Sequence, residues 1–459
     1  MRRLFALVIT LLMVSPLGFA QTLVSAFNLG SAGYENGDDI VMDATGNVWV
    51  AGYFQNTVDF DPGAGTLSRT STSGSYDSFI ASYSSTGVVQ WANRIGNANA
   101  DQGTGVAIDA SGNAYLSGYF AGTLDLDPGA GTANVTSGAG DDGYLIKLNA
   151  AGVYQWGFKL GGSGYDYIHD VETDANGDVY VTGYFAGTVD FNPGAGTNNL
   201  VSAGSFDMFL AKYSSAGAYL WAFRIGAGSF ADEFGYELAT FGSSDVYVTG
   251  SYGGTVDFDP GAGTVSRTNA GGNDIFLAKY SSAGVFQWVF TGSGTATDDG
   301  TGVDVDALGN VYFSGGFEGT IDFDPGVGTV NLVSAGVFDT FLAKYTPAGA
   351  LVFAQRIGST VNDRAYHMAT NASGTTLITG YITNTVDMNP GAGVANLTSA
   401  GSFDAIVACY DASGTYQWAF RLGSVNLDIG YAVDINDACN FAITGYFEGT
   451  TDFDPSAAT

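Results

Sequence analysis

Two aspartates separated by one residue recur along this chain in a fixed setting. The run "TVDFDPGAGT" occupies residues 57–66, and close copies begin at Thr123, Thr188, Thr255, Thr320, Thr385 and Thr450. The paired positions are Asp59 and Asp61, Asp125 and Asp127, Asp190 and Asn192, Asp257 and Asp259, Asp322 and Asp324, Asp387 and Asn389, and Asp452 and Asp454. Side-chain oxygens at i and i+2 open calcium loops, and Asn serves there as well as Asp. Calcium takes roughly six to eight oxygens, however, and here proline follows after only two side chains. The alternative chemistry is local. Asp accepts backbone N–H bonds, Pro sets φ, and Gly takes conformations closed to other residues, which together make a hairpin turn. The hairpin is the favoured reading, with calcium as the alternative.

A second acid recurs elsewhere, at Glu35, Asp101, Asp166, Asp232, Asp298, Asp363 and Asp428. An aromatic stands four residues after a turn glycine at Trp91, Trp156, Trp221, Trp288, Phe353 and Trp418. The G-x-x-x-W spacing resembles the tryptophan-docking motif of quinone-dependent propeller dehydrogenases, but a large aromatic repeated in every unit is expected to pack between units. Basic residues at Arg94, Lys159, Arg224, Arg356 and Arg421 are expected to pair with local carboxylates. Only two histidines exist, His169 and His367, too far apart for a zinc motif and expected in surface or turn positions. There is no G-x-S-x-G elbow, and nearly every acid is a repeat position, whereas a catalytic residue should occur once. No catalytic or cofactor-binding residue is expected.

Positioning these groups falls to the repeat itself. The motif prolines are spaced by 66, 65, 67, 65, 65 and 65 residues. Each unit contains four segments rich in Val, Tyr, Phe, Ile and Trp, bounded by Gly, Asn, Asp or Ser, as in "HDVETD", "VYVTGYF", "DMFLAKY" and "AYLWAFRIG". Such segments are strands, here A, B, C and D in order. Both faces of "VYVTGYF" are apolar or small, which calls for cover on both sides. The fold expected is all-β, a seven-bladed β-propeller of four-stranded antiparallel blades. The chain starts on a D-like strand, "LVSAFNLG", and ends after A and B, so the N-terminal strand is expected to close the ring. The seventh blade is expected to be incomplete, with the natural chain continuing past Thr459. In an up-and-down blade the B–C and D–A connections leave on one side, so both acid sets are expected on one face.

The run "DMFLAKYSSAGAYLWAFRIGAGSFADEFGYELATFGSSDVYVTG" and its counterparts resemble the SBBP-type β-propeller repeat of secreted bacterial proteins. The residues that carry the likeness are D-x-F-x-A-K, G-x-x-x-W and N-x-Y-V-x-G. The resemblance implies a propeller and an exported location, and no catalytic residues.

Composition sets the remaining bounds. Residues 1–20, "MRRLFALVITLLMVSPLGFA", have the charged start, apolar run and small residues of a secretory signal peptide, which leaves 21–459 as the propeller. Without Arg2 and Arg3 the chain carries 12 basic against 45 acidic residues. That balance argues against nucleic acid or an anionic membrane as partner. The two cysteines, Cys409 and Cys439, form no disulfide framework and are expected to stay unpaired. These readings converge on a monomeric, non-enzymatic binding or surface-display module, secreted or at the cell surface, with a protein or glycan ligand. One alternative is a glycan-binding propeller, calcium-dependent or not, using Tyr53, Tyr119, Tyr184, Tyr252 and Tyr381. The other is a quinone- or carboxylate-dependent enzyme, which would need channel residues that break the repeat.

Overall fold

The computed structural model describes residues 2–12, 20–31, 33–292 and 294–453. Asp454 lies outside the described residues. Strands such as Val48–Phe54, Val179–Phe185 and Val311–Phe317 are buried along nearly their whole length. Their β-branched and aromatic residues on both faces are packed between neighbouring sheets, as the sequence pattern requires. Each sheet runs A, B, C, D from the axis outward, for example Tyr167–Thr173, Val179–Phe185, Gly204–Tyr213 and Tyr219–Ile225. The A strands touch one another in order around the axis, and Ile429–Ile435 returns to Glu35–Met42. The architecture is a β-propeller.

The expected uniformity fails in one sheet. Among the described residues six of the large sheets have four strands, whereas the sheet of Tyr167–Ile225 has a fifth, Ser229–Asp232, which pairs in parallel with Gly204–Tyr213. Here the D–A loop is two residues longer than its counterpart after Gly161. Other D–A loops make one bond of this kind, such as Asp166 N–H to Asp141 O at 2.8 Å. The extra length extends that bond into a strand.

A second correction concerns closure. Ala20–Leu29 is the outer strand of the closing sheet, as its D-like sequence predicts. That sheet is not left incomplete. Arg2–Leu12, expected to stand outside the fold as a leader, takes the third place, with Leu7 opposite Ile443 and Leu4 opposite Leu29. Without it, Asn440–Glu448 would present a long unpaired edge. The apolar segment meets those backbone groups, but it lacks the buried aspartate that the other C strands carry at Asp77, Asp142, Asp207, Asp274, Asp339 and Asp404.

The "DFDPGAG" excursion forms a small hairpin, as in Thr57–Asp59 with Ser68–Thr70. Asp59 Oδ1 accepts the N–H groups of Asp61 (3.1 Å) and Leu67 (2.7 Å), and Asp61 Oδ1 accepts that of Gly63 (2.8 Å). The next copies repeat the bond. Asp127 accepts Gly129 N–H, Asp259 accepts Gly261 N–H and Asn389 accepts Gly391 N–H, each at 2.8 Å. Asn192 makes the same bond to Gly194 N–H at 2.9 Å. A Cβ on Gly65 would lie 2.0 Å from Asp61 Oδ2, so a side chain there would displace the carboxylate that caps the turn. The hairpin lies along the outer rim, where Phe323 packs against Phe290 of the preceding sheet at 5.8 Å. The buried tyrosine ending strand C holds its backbone: Tyr345 donates to Phe323 O at 3.0 Å and Tyr213 to Phe191 O at 2.9 Å.

Because the hairpin runs down the rim, its tip reaches the far end of the sheet. Asp324, Pro325 and Gly326 border the same cleft as Ala348 and Gly349 in the C–D turn. The D–A acids remain at the other end. Asp166, for instance, accepts Gly162 N–H (2.7 Å) and Ala186 N–H (3.0 Å). The two acid sets therefore occupy opposite ends of the sheets, contrary to the expectation of one crowded face. In the longer loop the structural position of Asp232 is taken by Glu233, which is fully buried and accepts Ala227 N–H at 3.1 Å.

The repeated aromatics and cations join sheet to sheet. Trp91, Trp156, Trp221 and Trp288 donate from Nε1 to Ala150, Ser215, Ser282 and Pro347 carbonyls in the next C–D turn, at 3.0–3.2 Å. The fully buried aspartate starting strand C pairs with a basic residue of strand D, as in Arg94–Asp77 (2.5 Å), Arg356–Asp339 (2.7 Å), Arg224–Asp207 and Lys159–Asp142.

Two outcomes follow. Phe323→Ala empties the rim wedge between two sheets, and should lower unfolding stability in urea by about 3–5 kcal/mol; a loss under about 1 kcal/mol would show that the hairpin is not a packing element. Thermal melting at matched ionic strength should be the same in calcium, magnesium and chelator. A rise confined to calcium, and lost when Asp257→Asn is combined with Asp259→Asn, would make the turn a metal loop.

Candidate functional site

Strand A departs from the repeat where it faces the axis. Asp39, Asp170, Glu237 and His367 occupy one register position, where the other sheets have Gly105, Gly302 and Ala432. Glu172, Asp304 and Asp434 occupy the position two residues on, where Val41, Ala107, Ala239 and Ala369 stand elsewhere. These acids and His367 line a channel cavity of about 90 Å³. Both histidines lie on strand A, not in the surface or turn positions expected of them.

Most of these carboxylates bridge two sheets. Asp39 accepts Ile40 N–H in its own strand and Val106 N–H in the next, both at 2.7 Å. Asp170 does the same for Val171 and Leu238, at 2.7 Å each. Asp304 takes Val305 (2.7 Å) and Thr370 (2.5 Å), and Asp434 takes Ile435 (2.7 Å) and Met42 (2.6 Å). The last of these fastens the closing sheet to the first. Burial pushes Glu172 up to about 8, Asp304 to about 7 and Asp434 to about 6, and moves Asp39 and Asp170 upward as well. For His367 burial acts downward, but Glu237 at 2.7 Å, with Asp39 and Asp434, outweighs it and brings the imidazole to about 9.

Above the channel, on the end carrying the D–A loops, the residues are aromatic. Tyr119 and Tyr167 stand 4.1 Å apart, Tyr167 and Tyr184 4.9 Å, Tyr366 and Tyr431 5.3 Å, and Tyr53 and Tyr76 5.1 Å between ring centroids. His169 stacks on Tyr236 at 5.4 Å with Nδ1 2.9 Å from Gly235 O, and burial holds it down at about 4. Of the tyrosines expected on this face, Tyr53, Tyr119, Tyr184 and Tyr381 share one register position. Tyr252 does not. It is fully buried against Phe258, one residue further on, because "TGSY" puts Ser251 at the tyrosine position.

A cavity of about 400 Å³ opens in this collar between the closing and first sheets, walled by Tyr34, Tyr53, Tyr76, Tyr431, Tyr446 and Asn36, with Glu35 and Glu448. Asn36 Nδ2 donates to Asp38 Oδ1 at 2.6 Å. Burial lifts Asp38 to about 8.

The candidate calcium residues are not brought together. Asp59 and Asp61, Asp125 and Asp127, and Asp190 and Asn192 stand in three separate rim hairpins. Asp257 and Asp259, Asp322 and Asp324, and Asp387 and Asn389 stand in three more. Each pair is engaged with its own backbone: Asp127 N–H donates to Asp125, Asp259 N–H to Asp257 and Asn389 N–H to Asp387, at 3.0–3.1 Å. Asp452 falls in the last described residues, without a described hairpin around it. Among the described residues, no group of three or more His, Cys, Asp or Glu side chains is arranged to hold a metal ion. Asp127, Asp259 and Asn389 act in this structure as turn acceptors.

Cys409 and Cys439 are free thiols. Sequence reasoning treated the acids as repeat positions and so missed Asp38, Asp39, Asp170, Glu172, Glu237, Asp304 and Asp434. The signal was available in the departures of strand A from its own period.

Residues 90–119 match the family model of the beta-propeller repeat SBBP. An uncharacterized WD repeat-containing protein of Acanthamoeba polyphaga mimivirus is 25% identical over 90% of this chain and 35% of its own length. The regulatory protein FlaEY of Caulobacter vibrioides is 27% identical over 56% of this chain and 25% of its own. The chain thus spans only a minor part of either relative. Among solved structures, a protein from Lactobacillus plantarum aligns over 98% of this chain and all of its own, at 14% identity and TM-score 0.45. A putative 6-phosphogluconolactonase from Bacteroides fragilis aligns over 94% and 97%, at 12% identity and TM-score 0.40. With strands A to D of the sheets laid out around a channel, the repeat match gives the classification: the chain is a β-propeller carrying an SBBP repeat at residues 90–119.

Proposed function

We propose that this chain is an exported, non-enzymatic propeller that binds its ligand at the channel mouth, on the end formed by the D–A and B–C connections. One observation carries the reading. Strands B, C and D repeat closely in most sheets, whereas strand A varies from sheet to sheet where it faces the channel and its mouth, so the molecule is most individual there. Export is what the resemblance to the SBBP repeat of secreted bacterial proteins implies, since Arg2–Leu12 is here engaged as a strand of the closing sheet. The tyrosine collar offers flat apolar faces with polar edges, which suits a ligand held by stacking and hydrogen bonds.

The channel acids have a different place in this proposal. A volume of about 90 Å³ admits roughly three waters at about 30 Å³ each, too little for a sugar ring. The bridging carboxylates already serve backbone N–H groups of two sheets. They are taken as fasteners that hold the mouth in shape.

The binding reading is tested on glycan and peptide arrays probed with the wild type, Tyr431→Ala and the rim variant Trp288→Phe. Ligands retained by the wild type should be lost with Tyr431→Ala alone. Retention by Tyr431→Ala, with loss in the rim variant, would move the site to the outer clefts. The fastener role predicts a pH dependence. These carboxylates hold protons more tightly folded than unfolded, so stability should fall as pH rises from about 5 to about 8. His367, raised to about 9, adds a loss in the same direction above its unfolded value. Asp304→Asn removes the titration at one bridge and should flatten the fall, with the smaller loss in melting temperature at the alkaline end. An unchanged pH profile would refute the role.

A further inference from the structure

We propose that Cys409 and Cys439 form a disulfide that clasps the closing sheet to the sixth sheet (residues 364–422) when the chain meets an oxidising small-molecule disulfide. The inference goes beyond the mouth as binding site and does not depend on it.

The junction between the fifth sheet (residues 299–357) and the sixth gives the rule that this pair breaks. There Lys344 of strand C lies over the ring of Tyr312, its strand B neighbour, and donates to Tyr312 Oη at 2.6 Å. Its ammonium also reaches Asp306 at 3.3 Å. Lys147 and Lys212 pair in the same way with Asp109 and Asp174, at 3.3 and 3.1 Å. One period on, Leu377 replaces Tyr312, Cys409 replaces Lys344 and Asn371 replaces Asp306, while the next A–B turn has Cys439 for Gly374. These are the only two cysteines of the chain.

The replacements converge on one point. A Cβ on Gly374 would lie 2.3 Å from Tyr312 Oη, beside the Lys344 ammonium. Its counterpart Cys439 projects toward the same point of the next junction, where the tyrosine and lysine tips are gone. Asn371 Nδ2 donates to Cys439 Sγ at 3.4 Å, so the sulfur holds the place that the lysine ammonium takes beside Asp306. Cys409 occupies the strand C position from which that lysine starts, opposite Leu377. Both cysteines belong to one apolar cluster with Leu377 and Phe441. Elsewhere a single long side chain spans this gap; here two short thiols enter it from its two sides. The turn carrying Cys439 is fixed against the sixth sheet, with Ala372 N–H donating to Asp437 Oδ1 at 2.9 Å.

Backbone conformation adds a separate sign. Cys439 has φ 59°, in the left-handed region, where the turns at Gly46, Gly112, Gly177, Gly309 and Gly374 use glycine. A residue with a Cβ is disfavoured there, and merely filling a small apolar space would not call for one. The chain itself links the sixth and closing sheets through residues 423–428, at the mouth end. A disulfide at the A–B turn secures the opposite end of the hairpin of Ile429–Ile435 and Asn440–Glu448, whose strand C and D partners come from the other terminus.

In this structure both thiols are free, which is the reduced state. Cys439, the more exposed of the two, loses its proton and attacks one sulfur of the small disulfide, releasing the first thiolate. Cys409, deprotonated in turn, attacks Cys439 Sγ and expels the second. Two electrons pass to the small disulfide, which leaves as two thiols carrying the two cysteine protons. Burial pushes both cysteines up, so the exchange should quicken as pH rises.

The test places the full chain, purified in dithiothreitol, in a buffer of oxidised and reduced glutathione, once folded and once during refolding from urea. Both thiols titratable in denaturant should disappear, at the latest in the refolding arm. Mass spectrometry of a non-reducing digest should find the peptides of Cys409 and Cys439 joined, lighter by two hydrogens. The cross-linked chain should melt about 4 °C higher and lose that gain in dithiothreitol. Cys439→Gly, which restores the residue of the other turns, should fold, and neither it nor Cys409→Ser should show the gain. Two thiols persisting in both arms, glutathione held singly on either cysteine, or a link between two chains would overturn the proposal. So would a cross-linked chain whose melting temperature is unchanged or lower.

Discussion

Flat sheets set radially around an axis touch at their inner edges and separate at their outer ones. Everything repeated in this sequence answers that geometric constraint. The separation grows toward strand D, and a 65-residue unit carries more chain than four strands and their turns require. The surplus is the "DFDPGAG" hairpin, which places Val58 and Phe60, or their counterparts, in the widening gap with no exposure to solvent. Its acids tie the hairpin's own backbone, and the strand C tyrosine ties the hairpin to the sheet. The tryptophans of strand D then span what remains of the gap to the next C–D turn. An acid-x-acid pair repeated around a ring is here part of a wedge.

At the axis the constraint reverses. Strands A converge, and their outward-facing backbone groups need partners in a space too narrow for much water. Asp39, Asp170, Asp304 and Asp434 supply them by reaching across to the neighbouring strand. The result is a group of desolvated carboxylates, with His367 at 2.7 Å from Glu237 and 4.0 Å from Asp39. Their elevated proton affinities follow from the same burial that makes the contacts strong. Where strand A emerges from this crowding, tyrosines take over, and the chemistry changes from fastening to presentation.

Period, strand order and the closing role of "LVSAFNLG" were legible because each rests on spacing and on local apolar pattern. The Arg94–Asp77 and Arg356–Asp339 pairs were legible for the same reason. The direction of the hairpin was not, since a connection leaving one end of a sheet says nothing about where its tip comes to rest. Tyr252 was misplaced because one residue of register separates a mouth tyrosine from a core one, and both kinds follow "TG" or "SG" runs. Arg2–Leu12 was read by its leader-like composition, whereas its backbone pairing with Asn440–Glu448 joins partners far apart in the chain. The channel acids were hidden in plain view, as exceptions in a sequence whose regularity drew attention to the rule.

The contact between Asp434 and Met42 N–H joins residues 392 apart in the chain. In a linear stack of repeats the terminal units have one neighbour and fray first. A ring has no terminal unit, so opening any one sheet exposes the inner faces of two others. Partial unfolding is thereby penalised everywhere at once, and loop-closure entropy, which grows only logarithmically with length, costs little more here than in a far shorter chain. Cooperativity in this molecule belongs to the circle: a defect at the closing sheet unfastens a neighbour on each of its sides.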